Sequence, residues 1–267
     1  MKSVMDLNNV ILLNREATEQ ASDARAVLAR AYDLLGDELV LASSFSVEDM
    51  ALIHIACSIV ESPRVFTLDT GRLHEETYRI MEEARKKYPI RLEVHTPDRA
   101  ELESLLREKG LYSFYESIEN RKECCRIRKV VPLQRALATC RGWATGLRSA
   151  QSNTRLRLAP FELDTAHGDL LKINPLHAWS DDELWSFIRE NDIPYNSLHD
   201  AGFPSIGCAP CTRAVQPGED IRAGQCAGID HQQRLAEARA VARILEEAVG
   251  LEAEGRAGQG AAEQFHH

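Results

Sequence analysis

The sequence predicts an α/β fold, in which a parallel sheet is flanked by helices in a Rossmann-like arrangement. Strand-like segments at 38–43, 64–69 and 90–95 are each followed by a helical stretch of ten or more residues. Polar clusters at 43–49 and 69–74 follow the first two strands. Parallel sheets bind ligands beyond the carboxyl ends of their strands. Both clusters are therefore expected at a binding site.

The remaining elements continue this alternation. Residues 1–36 are rich in Ala, Leu, Arg and Glu, and we expect them to be mostly helical. Apolar spacing predicts further helices, whose ranges are 50–60, 75–87, 97–109, 124–138 and 232–250. We expect the helix over 97–109 to end at Gly110, because glycine commonly ends a helix.

In the second half of the chain, the sequence predicts a strand, a hairpin and a capped helix. A strand around 142–146 continues the sheet, and residues 146–175 predict a loop and a hairpin. Ser180 and Glu183 have the spacing of a capping box at a helix start. Residues 191–225 are rich in Pro, Gly and Asn, which indicates an ordered loop region. We predict one α/β domain over 1–224 and a helical tail over 225–267.

Composition excludes several classes of protein. The 267 residues are 44% apolar and 27% charged, with a net charge of −9, which is ordinary for a globular domain but poor for binding nucleic acid. No run approaches 18 apolar residues, so no membrane span is expected. The first residues lack the apolar core of a signal peptide, which favours a cytoplasmic location.

Cysteines carry the strongest signal for a metal site. Seven cysteines without an export signal argue against a disulfide framework. Cys124 and Cys125 are adjacent, and Cys208 and Cys211 follow after a gap of 82 residues. Four thiolates in two pairs suit either zinc or an iron–sulfur cluster, and the spacing alone leaves both possibilities open. A third interpretation is that the two pairs do not come together in the folded chain. Cys57 and Cys140 are expected in element interiors, as core residues.

Cationic and anion-binding groups accompany these cysteines. Basic residues near the two pairs are Arg121, Lys122, Arg126, Arg128, Lys129 and Arg213. They fit the negative charge of a thiolate site and also bind phosphate or sulfate, although some belong to a solvated helix face. The segments 44–49, 68–74 and 146–155 fall at three strand ends, and a helix N-terminus there can hold an oxyanion. Together these loops predict a nucleotide site.

The motifs in combination resemble a known family. They are Ser44-Phe-Ser-Val-Glu-Asp49, Leu68-Asp-Thr-Gly-Arg-Leu-His74, Cys124-Cys125-x-Ile-Arg-Lys129, Gly146-x-Arg148 with Gln151-Ser152, Ile193-Pro-Tyr-Asn-Ser-Leu-His199 and Gly202-x-x-Ser-Ile-Gly-Cys-x-Pro-Cys-Thr-Arg213. This set resembles the assimilatory adenylyl-sulfate (APS) reductases, relatives of the phosphoadenylyl-sulfate (PAPS) reductases. The resemblance covers residues 35–224 and implies a PP-loop, adenine-nucleotide hydrolase-like fold.

The resemblance also implies a reaction and its site. It implies thioredoxin-dependent reduction of APS to sulfite and AMP through an enzyme S-sulfocysteine, in sulfate assimilation. A 4Fe–4S cluster would be held by Cys124, Cys125, Cys208 and Cys211, and that cluster type goes with APS rather than PAPS. The residues implied to contact substrate are Ser46, Leu68, Lys129, Arg148, Arg155 and Arg222. Thioredoxin is the implied electron donor, and related enzymes form homo-oligomers.

The tail departs from the family pattern after Gly224. The family continues with Arg-Trp-Trp-Trp and later carries its nucleophile in Glu-Cys-Gly-Leu-His, whereas this chain reads Gln225-Cys226-Ala227-Gly228. Cys226 is the only cysteine in the tail, so it is the candidate nucleophile, with an ordinary thiol as the competing reading. A third interpretation is that the gene diverged, or was misread, after Gly224.

Four other functions stay open on the sequence. They are a non-catalytic paralogue that binds APS or AMP and a cluster, a PAPS reductase, an adenylating enzyme that uses ATP, and a zinc-stabilised binding module. The adenylating enzyme ranks last, because residues 44–49 lack the Ser-Gly-Gly-x-Asp-Ser pattern expected there. Sulfite release, pyrophosphate release and visible absorption separate the four.

Overall fold

A six-stranded, mostly parallel sheet forms the centre of the protein. It is seen in a computed structural model that describes residues 7–19, 23–151, 158–216, 219 and 224. The strands are β1 (Leu39–Ala42), β2 (Arg64–Leu68), β3 (Arg91–His95), β4 (Gly142–Ala144), β5 (Phe161–Asp164) and β6 (Leu170–Ile173). Their order is β3-β2-β1-β4-β6-β5, and only the β5–β6 pair is antiparallel. The predicted fold class is confirmed.

Helices cover the sheet close to where the sequence predicts them. They are α1 (Leu7–Glu19), α2 (Ala24–Leu35), α3 (Val47–Cys57), α4 (Glu75–Lys87), α5 (Arg99–Lys109), α6 (Ile118–Cys125), α7 (Val131–Leu137) and α8 (Asp181–Glu190). The predicted helical region 1–36 contains two helices, because Asp23 caps the second by accepting the N–H groups of Arg25 and Ala26. The predicted helix 232–250 lies outside the described residues.

The predicted helix 124–138 is wrong in its detail. Helix α6 ends at Cys125, a π-helical segment follows over Arg126–Val130, and α7 begins at Val131. The hairpin predicted within 146–175 is confirmed as β5 and β6. The capping box is also confirmed, with the Ser180 hydroxyl and the Glu183 carboxylate each bonded to the other residue's backbone N–H.

Side chains alternate between two apolar layers along the sheet. Leu39 and Leu41 of β1 face the larger layer, which contains Met50 and Ile53 of α3. Val40 faces the smaller layer instead, against α7. A strand buried on both faces reads as a continuous apolar run, which is why β1 was recognisable in the sequence.

Helix α1 lies against the outer strand β5. The side chain of Asn14 donates from Nδ2 to the carbonyl of Phe161 at 2.9 Å and accepts the Phe161 N–H at 3.0 Å. Among the described residues, no helix is long and apolar enough to cross a bilayer. The predicted domain boundary at 224 falls at the limit of the described residues and stays a prediction.

Candidate active site

A cavity of about 820 Å³ opens at the carboxyl ends of β1, β2 and β4. Four of the predicted substrate contacts line it, namely Ser46, Leu68, Lys129 and Arg148. The remaining predicted site residues Arg155, Arg222 and Cys226 lie outside the described residues. The position agrees with the rule that open α/β sheets bind ligands beyond their strand ends.

The loop between β1 and α3 forms one wall of the cavity. Phe45 is fully buried and has a φ of 58°, so the chain turns sharply before Ser46 caps α3. Oδ2 of Asp49 accepts from the Ser44 N–H at 2.6 Å, from the Ser44 hydroxyl at 2.7 Å and from the Ser46 hydroxyl at 3.2 Å. These bonds fix the loop with the N-terminus of α3 directed at the cavity.

Asp49 itself is a perturbed acid. Burial raises the pKa of its carboxyl to about 6, although the hydrogen bonds from Ser44 and Ser46 oppose the shift. The charge of the neighbouring Glu48 raises the pKa further. At neutral pH the carboxylate form predominates and accepts all three hydrogen bonds.

His199 holds the first turn of α3 from the opposite side. Its Nε2 accepts the N–H of Val47 at 3.2 Å, so this nitrogen carries no proton and the ring is neutral. Burial lowers the pKa of His199, while the charge of Glu48 works in the other direction. His199 lies within one of the sequence motifs, but no role could be predicted for it because its partner lies 152 residues away.

Arg148 lines the cavity, and its guanidinium is held there by two carboxylates. Its side chain is only 4% exposed and donates to Glu48 at 2.9 Å and to Asp181 at 2.6 Å. Gly146 permits this arrangement, since a Cβ there would lie 2.6 Å from Oδ1 of Asp49. The predicted contact of Arg148 with an anion stays a prediction, and Glu48 and Asp181 are additions that the sequence did not indicate.

The other side of the cavity is apolar. Ala42 ends β1, and Phe66 and Leu68 belong to β2. Leu133 comes from α7, and Trp143 comes from β4. A flat aromatic heterocycle fits such a slot, since small-molecule sites combine apolar walls with a few placed polar groups. The cavity thus has an apolar arm and a polar arm.

The loop after β2 connects the cavity to the cysteines. Thr70 is almost fully buried, and its hydroxyl lies 3.2 Å from Sγ of Cys208. Leu73 and Cys208 form an isolated antiparallel β-bridge. Arg128 donates to the Thr70 carbonyl at 2.5 Å, and Cys124 is near enough to raise the pKa of its guanidinium. Cys124 and Cys208, one from each cysteine pair, therefore both lie near Arg128.

The π-helical segment explains how neighbouring residues serve different sites. Within Arg126–Val130, Arg128 faces the cysteines, whereas Lys129 lines the cavity. π-Helical turns are rare and occur often at functional sites. The widened turn directly follows Cys124 and Cys125. It thus connects the predicted substrate site to the region of Cys124, Cys125, Cys208 and Cys211, here called the thiol corner.

Arg128 provides a test of whether an anionic metal group fits here. Its side chain is buried, and Nε is a buried donor with no hydrogen-bond partner. Burial and the charge of Arg72 lower its pKa, whereas Cys124 and Cys208 raise it. A buried cation beside Cys124 and Cys208 is suited to a thiolate-bound group with net negative charge. The donor set of Cys124, Cys125, Cys208 and Cys211 fits such a group chemically.

The side chains do not form a tight cage for a single ion. Over the described ranges, no three His, Cys, Asp or Glu side chains lie close enough together to hold a metal ion. The identity of the group predicted at the thiols, a 4Fe–4S cluster, therefore stays a prediction.

The two other described cysteines lie away from this corner. Cys57 ends α3, and Cys140 donates to the Leu137 carbonyl at 3.3 Å. Both are half-buried, and burial raises the pKa of each thiol to about 11. High pKa values make them poor nucleophiles, and both pack against the apolar layers. Their predicted position in element interiors is wrong, because Cys57 is the last residue of α3 and Cys140 lies between α7 and β4.

The fold and the cavity together define an α/β protein with a ligand cavity, one arm apolar and one arm polar, at the carboxyl ends of its parallel strands. Residues 38–214 match the family model described as "Phosphoadenosine phosphosulfate reductase domain". The chain belongs to this family of APS and PAPS reductases.

Relatives and solved structures agree with that assignment. The chain is 49% identical over 189 residues to an adenosine 5'-phosphosulfate reductase of Allochromatium vinosum, covering 71% of this chain and 73% of the relative. One from Pseudomonas aeruginosa is 46% identical over 204 residues, covering 74% and 75%.

A phosphoadenylyl-sulfate reductase from Candida auris, solved as a phosphate complex, superposes with a TM-score of 0.67 at 25% identity, covering 79% of this chain and 98% of that one. Yeast FAD synthetase shares only the fold, with a TM-score of 0.53 at 14% identity, covering 79% and 70%.

Proposed function

We propose that this protein is an adenylyl-sulfate reductase that converts APS to sulfite and AMP in sulfate assimilation, with thioredoxin as the electron donor. The observation that carries the proposal is the junction of the nucleotide-sized cavity with the thiol corner through Arg128 and Lys129. The names of its relatives, adenosine 5'-phosphosulfate reductases at 46–49% identity, support APS as the substrate.

The two arms of the cavity suit the two ends of APS. The apolar arm, with Leu68 and Trp143, takes the adenine ring. The N-terminus of α3 behind Ser46 and the ammonium of Lys129 take the phosphosulfate. Arg155 and Arg222 complete the anion contacts in this proposal.

Four cysteines hold the metal group in this proposal. When bound by Cys124, Cys125, Cys208 and Cys211, a 4Fe–4S cluster would supply electrostatic influence at the sulfate rather than electrons. Arg128 lies beside Cys124 and Cys208 and would offset the charge of their thiolates, while Lys129, the next residue, lines the cavity. The two consecutive cationic side chains thereby connect the proposed metal site to the proposed substrate site.

The chemistry itself needs a cysteine nucleophile. In the proposed step the Cys226 thiolate attacks the sulfur of APS, a sulfur–sulfur bond forms, and the bond to the phosphate oxygen breaks with release of AMP. A thioredoxin dithiol then attacks the resulting S-sulfocysteine. It releases sulfite, returns the cysteine thiol and leaves thioredoxin as the disulfide.

Sulfite release from APS tests this function. Anaerobically purified protein is assayed with thioredoxin beside Cys226→Ser and, as a matched control, Cys57→Ser. We expect turnover in the wild type and in Cys57→Ser, and none in Cys226→Ser. Turnover that survives in Cys226→Ser would place the nucleophile elsewhere.

A second function is favoured by one sequence feature, the absence of Glu-Cys-Gly-Leu-His after Gly224. A paralogue that binds APS or AMP without reducing it would bind nucleotide, contain iron and release no sulfite. The same assay with PAPS distinguishes a PAPS reductase, which would turn over that substrate faster.

Iron and sulfide analysis tests the metal group independently of activity. We expect about four irons and four sulfides per chain for a 4Fe–4S cluster. Serine at any of the four corner cysteines should lower both contents, while Cys140→Ser should leave them unchanged. Zinc in place of iron would instead support a structural metal.

A further inference from the structure

Trp143 is anchored from behind the cavity. Its ring lines the apolar arm, and its indole Nε1–H donates to Oδ2 of Asp164 at 3.0 Å. Asp164 is the last residue of β5 and lies outside every motif that carries the family resemblance. The anchor therefore belongs to the hairpin rather than to the loops that form the rest of the site.

His167 completes the anchor. Its Nδ1 lies 2.7 Å from the same Oδ2 atom of Asp164, and its ring makes an edge-on contact with Trp143, with 6.1 Å between the centroids. The side chain of Asp164 is only 10% exposed. One buried oxygen thus accepts from both rings and fixes their relative orientation.

A third group approaches the ring from β6. Lys172 is the register partner of Trp143, and its ammonium lies 6.0 Å from the ring centroid. Glu162 of β5 holds this ammonium through an ion pair of 3.0 Å. All of these groups lie on the β5–β6 hairpin, so the hairpin supports the indole on the side away from the ligand.

We propose that Asp164 and His167 are positioning residues for the nucleotide site, which fix the Trp143 ring in the plane that stacks on the adenine. The inference rests on the proposed function, because it needs an adenine nucleotide in the cavity. A ring held in place before binding loses less rotational freedom when the ligand arrives, which favours affinity.

The hairpin does not need this hydrogen bond for its own pairing. Backbone register joins β5 and β6 from Phe161 and Ile173 to Asp164 and Leu170, and Asn174 bonds to the Ala159 carbonyl at 2.9 Å. Removal of the Asp164 carboxylate should therefore alter the indole and leave the sheet in place.

The test compares two replacements of one carboxylate. Asp164→Asn keeps an oxygen that accepts the indole N–H, whereas Asp164→Leu keeps the approximate size and removes the acceptor. Dissociation constants for AMP are measured by calorimetry, together with KM and kcat for APS. We expect Asp164→Leu to weaken AMP binding and raise KM about fivefold, the effect of one lost hydrogen bond, with kcat within twofold. Asp164→Asn should stay within twofold.

A double-mutant cycle separates positioning from general damage. In Trp143→Phe the ring has no N–H to donate, so Asp164→Leu should have no further effect on AMP affinity in that background. Asp169→Asn, an exposed charge removal on the same hairpin, is the matched control and should behave as wild type. Quenching of the Trp143 emission by AMP, obtained by subtracting the Trp143→Phe signal, should fall in Asp164→Leu.

The possible results distinguish failure of the proposed function from failure of the positioning role alone. A wild type that binds neither AMP nor APS overturns the proposed function and this inference with it. Normal AMP affinity in Asp164→Leu overturns the positioning role alone. An equal loss from Asp164→Leu in the Trp143→Phe background also overturns it, because the effect would then bypass the indole.

Discussion

Gly146 marks the place where the loop after β4 passes closest to α3. A Cβ at this position would lie 2.6 Å from Oδ1 of Asp49 and 2.8 Å from Cβ of Glu48. Gly146→Ala should therefore cost about 1–3 kcal/mol of the free energy of unfolding, as overpacking does, and weaken AMP binding about tenfold. Urea unfolding and calorimetry measure the two effects.

Gly168→Asn is the control for that substitution. Gly168 has a left-handed φ of 86° and open space around its Cα, and asparagine tolerates this conformation. The control should stay within about 0.5 kcal/mol of wild type. Wild-type AMP affinity in Gly146→Ala would show that the close approach has no importance for the site.

His199 should make stability depend on pH. Its folded pKa is lowered by burial, while an unfolded histidine titrates near 6.5. Below that pH the unfolded chain takes up a proton that the folded chain refuses, so stability falls as the pH drops towards the lowered value. Glutamine can still accept the Val47 N–H but does not titrate. Between pH 7 and pH 5.5, His199→Gln should therefore lose less stability than wild type in urea unfolding.

Every other histidine is present in both proteins, so the difference between their stability losses isolates His199. Equal losses in the two proteins would contradict the assigned role of Nε2 as an acceptor. Asp49 contributes with the opposite sign, because its raised pKa of about 6 stabilises the folded chain as the pH falls towards 4.

Single residues show where sequence reasoning stops. Ser46, Leu68 and Lys129 were predicted at the site from motifs, and the structure brings them to one cavity. Glu48 as a partner of Arg148 was not predicted, since 100 residues separate the two. Charge pairing across such distances depends on which strands become neighbours, and no local pattern records that.

At the scale of elements, the capping box of α8 offers a clean measurement. The Ser180 hydroxyl accepts the Glu183 N–H, so Ser180→Ala should cost about 1 kcal/mol of the free energy of unfolding. The control is Ser186→Ala, which removes the same hydroxyl from the same helix without touching the cap. Equal losses for the two variants would argue against the cap as the cause.

The π-helical segment is the element that the sequence could not reveal. Apolar spacing over 124–138 indicates one helix, because a single widened turn changes the periodicity too little to notice. Helix α4 is the contrasting case, predicted at Glu75–Lys87 with the observed bounds, because acidic residues begin it and basic residues end it.

At the scale of the whole molecule, nucleotide binding should stabilise the chain. A ligand at 100 times its dissociation constant adds about 2.7 kcal/mol to the stability of the state that binds it. AMP should therefore raise the unfolding midpoint when the tryptophan emission is followed. An AMP-independent midpoint, with GMP as the matched nucleotide control, would argue against the cavity as an adenine site.

The fold class followed from strand–helix alternation alone, because parallel strands require a crossover of helical length between them. The order of the strands did not follow. That β4 pairs with β1, across more than 100 residues of sequence, depends on packing of the complete sheet. The complete set of residues that line the site could not be predicted for the same reason, because its walls come from strands that become neighbours only in the folded chain.

The contact between Asn14 and Phe161 has a practical consequence for anyone who shortens this chain. The family match begins at residue 38, so a fragment cut to the matched range would lose α1. The amide of Asn14 occupies both backbone groups of Phe161 on the outermost strand, much as a neighbouring strand would. Without it, β5 would present an open edge on which a second molecule could pair, and edges of that kind initiate aggregation. A shortened chain that keeps α1 should therefore self-associate through β5 less than one that lacks it.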